Sequence, residues 1–62
     1  MKRTEFIKFL LANNCQLYRE SKKHPIYINT KSGKKTTVPR HIELDDWLCV
    51  KICQQLNIPK VK

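Results

Sequence analysis

Ser21-Lys22-Lys23-His24-Pro25-Ile26-Tyr27-Ile28-Asn29 passes from charge to β-branched and aromatic side chains within a few positions. Ile26, Tyr27 and Ile28 favour extended backbone, so this segment reads as a strand with His24 at its entrance. Asn29-Thr30-Lys31-Ser32-Gly33 then supplies turn chemistry with the only glycine of the chain. Lys34 to Val38 is the returning strand of a hairpin, and Pro39, which has no amide donor, ends it.

Upstream, hydrophobic period two starts at Cys15. It places Cys15, Leu17 and Arg19 on one side of a strand and Gln16, Tyr18 and Glu20 on the other. Before it, Phe6, Ile7, Leu10 and Leu11 recur at one-face helical spacing, with Thr4 as the expected cap, Glu5 in the first turn and Asn14 as a left-handed stop. Lys2, Arg3 and Lys8 fall on the polar side of that helix, facing water or a polyanion.

Downstream, Arg40-His41 occupies a connection, and Asp45 or Asp46 caps a last helix. Its expected inner face is Leu48, Ile52 and Leu56, supported by Cys49, Cys53 and Trp47, the last either a core anchor or a contact for a partner protein. Asn57 closes it, Ile58 packs back onto it, and Pro59 stops its continuation. The order helix, three strands, helix predicts an α+β fold of two layers, with both helices on one face of an antiparallel sheet. We expect a single domain over residues 1–62, with residues 60–62 as a flexible tail.

Sixty-two residues bury only about 60% of their unfolded surface, which leaves one thin core and no room for a second site-bearing domain. No long apolar run or signal peptide is present, and the expectation is a cytoplasmic, soluble protein. Cys15, Cys49 and Cys53 are odd in number and lack CxxC spacing, so they read as small buried hydrophobes in a reducing compartment. No metal or cofactor is expected. Of the net charge of +8, all belongs to residues 1–42, which hold ten Lys or Arg against Glu5 and Glu20; residues 43–62 hold three against three. A polyanion would bind the first two thirds of the chain.

Cutting RNA without metal needs a base for the 2′-hydroxyl, an acid for the leaving 5′-oxygen, positive charge for the transition state and a grip on the strand. An imidazole serves either proton transfer, which makes His24 the candidate catalytic group. Lys22, Lys23, Lys34, Lys35 and Arg40 are the candidate RNA and phosphate ligands. His41 is a candidate auxiliary proton-transfer group, phosphate ligand or helix cap, and Tyr27 either stacks on a base or belongs to the core.

Several segments then carry a resemblance, in order along nearly the whole chain. Lys2-Arg3-Thr4-Glu5-Phe6-Ile7-Lys8, Leu17-Tyr18-Arg19-Glu20 leading to His24-Pro25-Ile26-Tyr27, Lys34-Lys35-Thr36-Thr37-Val38-Pro39-Arg40-His41 and Ile52-Cys53-Gln54-Gln55-Leu56-Asn57-Ile58 resemble the HicA (YcfA-like) toxins. The resemblance implies a fold similar to a double-stranded RNA-binding domain. It also implies an mRNA interferase, toxic to its own bacterium, that is neutralised by a HicB antitoxin. The family's catalytic histidine matches His24. The chain departs from the family at Ser21 and Lys22, where glycines are usual. The rival readings are a non-catalytic RNA-binding module of the same fold, and an interaction protein whose basic face is covered by an acidic partner.

Overall fold

Residues 3–12 contain neither glycine nor proline, and they form helix α1 (Arg3–Ala12), with Phe6 and Leu10 buried one turn apart. A computed structural model of the chain describes residues 1–20 and 24–60. Ser21, Lys22 and Lys23, with Val61 and Lys62 of the expected tail, lie outside the described residues. After α1 come strands β1 (Cys15–Glu20), β2 (Pro25–Asn29) and β3 (Lys35–Thr37), and then helix α2 (Asp46–Gln55). The sheet is antiparallel, in the order β1-β2-β3.

This is the expected α+β arrangement, and it is consistent with a double-stranded RNA-binding-domain-like fold. Phe6 and Leu10 of α1 and Cys49, Ile52, Cys53 and Leu56 near or on α2 are buried together with Cys15, Tyr27, Val38 and Leu44. α1 packs on β1 and α2 on β3. All three cysteines are buried as thiols, as their apolar neighbours suggest. Neither helix is long and apolar enough to cross a membrane.

The helix ends differ from expectation in instructive ways. α1 is not capped by Thr4: it starts after Lys2, which makes no side-chain cap. Backbone satisfies the donor instead, since the Arg3 amide bonds the Ile42 carbonyl at 2.9 Å and Lys2 pairs with Glu43 in an antiparallel bridge. Asp45 does stand at the N-cap of α2, again without a side-chain bond. Asn14 and Asn57 take the left-handed conformation, at φ 68° and 57°, and turn the chain out of α1 and α2.

Two apolar residues leave the faces assigned to them. Leu11 is exposed, while Phe9, stacked on Phe6 at 6.3 Å, packs against the core. Trp47 is 67% exposed and not a core anchor. The buried stripe of α2 runs through Cys49, Ile52, Cys53 and Leu56, and a residue two positions before Cys49 projects to the far side of the helix.

The strict alternation expected for β1 fails at Tyr18. Leu17 pairs with Tyr27 and Arg19 with Ile26, so Tyr18 is an extra residue, a β-bulge. Beyond it the phase reverses. Arg19 shares the side of Ile26, away from the helices, and Glu20 shares the side of buried Pro25.

Candidate active site and nucleic-acid interface

His24 is exposed and directly precedes β2, at the end of the sheet where β1 finishes and β3 delivers its chain to the α2 connection. Pro25 fixes that corner: it pairs with Glu20 on one flank, and its carbonyl accepts the Val38 amide at 3.1 Å on the other. Two residues past Val38, the Arg40 guanidinium reaches back over the sheet end to the Glu20 carboxylate at 3.5 Å. The Arg3 Nε donates to the Pro39 carbonyl at 2.8 Å and ties the segment that carries Arg40 to the first turn of α1. His41 follows Arg40 and is exposed.

One junction therefore gathers His24, Arg40, Glu20 and Arg3 from four separate segments. Sequence reasoning missed Glu20 and Arg3 as parts of it. Glu20 is brought there by the reversed phase after the bulge, and Arg3 by a bond to a residue 36 positions away. No local pattern encodes either one.

Other candidates stand elsewhere. Lys35 pairs with Ile28, four positions beyond His24, about 13 Å along the strand. Lys34 and Lys35 instead line a groove with Lys51, Gln54 and Gln55, where β3 meets α2. Tyr27 is 7% exposed and belongs to the core, which removes it from base stacking. Lys22 and Lys23 lie outside the described residues. The half-exposed aromatic ring of the sheet is Tyr18, with the Lys35 ammonium 4.6 Å from its centroid.

A second concavity lies at the opposite end of the molecule, lined by Asn13, Asn14, Asn29, Lys31, Asn57 and Ile58 among others. It holds neither imidazole and takes in the two left-handed asparagines, so it reads as the seam where both helix ends meet the hairpin.

Comparison with known proteins adds the remaining constraint. No curated protein and no solved structure matches the chain. A family model, described as HicA toxin of bacterial toxin-antitoxin, matches residues 3–58 of the 62. That span takes in both helices, all three strands and the junction carrying His24 and Arg40. The chain belongs to the HicA family of toxins from bacterial toxin-antitoxin systems.

Proposed function

We propose that this protein is an endoribonuclease toxin, an mRNA interferase that cuts RNA by metal-independent acid/base chemistry centred on His24 and is neutralised by a cognate HicB-type antitoxin. The observation that carries the reading is an exposed imidazole at the strand end that also holds the Arg40 guanidinium. In the reaction, a 2′-hydroxyl loses its proton and attacks the adjacent phosphorus. The bond to the 5′-oxygen breaks, and that oxygen takes up a proton, leaving a 2′,3′-cyclic phosphate and a 5′-hydroxyl.

His24 moves one of these two protons; His41, a lysine or water moves the other. Arg40, with Lys22 and Lys23 beside His24 in the chain, offsets the charge that develops on the non-bridging oxygens. Lys34 and Lys35, one sheet length away, hold the strand and not the reacting phosphate. An antitoxin inhibits by covering the imidazole and the neighbouring cations, and the basic surplus of residues 1–42 favours an acidic surface for that purpose.

The test is incubation of a long RNA with the purified protein and its His24→Ala variant in EDTA, read on a denaturing gel. The expected result is fragments from the first and intact RNA from the second, with cutting suppressed by the antitoxin. Equal cutting by both sinks the His24 mechanism. Intact RNA in both lanes, with a shift on a native gel, replaces the nuclease by a non-catalytic RNA-binding module.

A further inference from the structure

Among the described residues nothing covers the side of the sheet away from the helices, and its composition is not that of a plain solvent face. The bulge places Tyr18 and Arg19 there together, against Ile26 of β2. Lys35 pairs with Ile28 on the same side and lies over the Tyr18 ring, so β1 and β3 meet across the half-buried Ile26 and Ile28. Gln16 and Thr37 complete the face by register. Among its described residues there is no carboxylate, because the phase reversal sends Glu20 to the other side, where it pairs with Arg40.

We propose that this face is a platform for single-stranded RNA, on which a base stacks on Tyr18 while Arg19 and Lys35 hold the flanking phosphates. It rests on the endoribonuclease reading for the choice of RNA as ligand. The positive charge requires a polyanion, and the aromatic ring selects one with flat apolar faces. A duplex hides those faces within its stack, whereas an unpaired strand presents them. The Lys35 ammonium stands over one face of the Tyr18 ring, so the base stacks on the other face with that cation beside it for the flanking phosphate.

The face is continuous with the proposed active site. Arg19 and Thr37 both pair with Ile26, two residues from His24. At the other end Lys35 also lines the groove with Lys34, Lys51, Gln54 and Gln55. A strand cut at the junction thus runs over Arg19 and Tyr18 to Lys35 and into a groove with two more ammonium groups and two carboxamides.

The experiment is fluorescence anisotropy with a labelled 2′-O-methyl oligouridylate and, separately, a 2′-O-methyl duplex, with circular dichroism as the folding control. Tyr18→Ala should weaken single-strand binding about tenfold and leave duplex binding unchanged, and Tyr18→Phe should retain affinity. Tyr18→Leu, which keeps apolar bulk on the edge strand, should lose as much as the alanine variant. Arg19→Gln and Lys35→Gln should each lower the salt slope by about 0.7. Methylated RNA cannot be cut through its 2′-oxygen, so binding is read whether or not His24 is catalytic. Single-strand affinity indifferent to Tyr18, equal loss on strand and duplex, or polyglutamate bound as tightly as the oligouridylate would overturn the platform; the last outcome would assign the face to an acidic protein.

Discussion

Asn29 is the one buried polar side chain among the described residues, and both ends of its carboxamide are used. Its Nδ2 donates to the Leu56 carbonyl at 2.7 Å, and its Oδ1 accepts the Lys31 amide at 2.9 Å. A single residue therefore joins the hairpin turn to the end of α2. Asn29→Ala strands a buried carbonyl and should cost about 2 kcal/mol in urea denaturation. Asn29→Asp keeps the acceptor but faces the Leu56 oxygen with a carboxylate, so it should be no better. The Glu20–Arg40 pair belongs to a different class: both side chains are more than half exposed. Glu20→Gln should change stability by less than about 1 kcal/mol. Its effect falls on charge, since Arg40 loses its carboxylate partner. Tighter RNA binding by this variant in anisotropy is expected, and unchanged binding would detach Arg40 from the RNA site.

At the scale of the element, α2 shows which faces hold the fold and which do not. Leu56→Ala removes a fully buried side chain and should cost about 2–5 kcal/mol, whereas Trp47→Ala removes a mostly exposed ring that has the Lys51 ammonium 4.7 Å from its centroid and should cost under about 1 kcal/mol. Paired urea curves check both, and a large loss for Trp47→Ala would mean that the ring packs. The sequence shows α2 and its stopping signals because apolar spacing, Asn57 and Pro59 are all local. It misplaces Trp47 because size and apolarity do not say which of two adjacent stripes faces the sheet. The hairpin is equally legible, since Asn29 to Gly33 carries its own turn chemistry. The bulge in β1 is not legible: Cys15 to Glu20 alternates well enough to be read straight, and only pairing with β2 exposes the extra residue. That miss propagates to the site. His24 and Arg40 could be named from residue type, but Glu20, Arg3 and Tyr18 acquire their places through the bulge and through contacts between segments distant in sequence.

Across the whole molecule, the core draws on both parts of the chain although the basic excess lies wholly in residues 1–42: two of the three thiols sit in α2, in the same buried cluster as Cys15 of β1. Burial raises the Cys15 thiol above its ordinary range, with a smaller push from Cys53. Burial also raises Cys49, and Cys53, Asp46 and Asp45 add to it against the opposing N-terminal ammonium. An acid whose folded pKa is raised contributes stability below its unfolded pKa and loses it as pH climbs toward the folded value. In the unfolded chain these thiols ionise near about pH 8.5, so above that the unfolded state binds fewer protons than the fold and stability must fall. Urea midpoints measured from about pH 7 to about pH 9.5 should decline. The double variant Cys15→Ala with Cys49→Ala should start lower, from lost packing, and decline less steeply. Equal slopes in the two proteins would show that the thiols are not the groups being titrated. The same burial makes a kinetic statement: a maleimide should label the native protein far more slowly than the urea-unfolded chain, because the reactive thiolate is both scarce and covered in the fold.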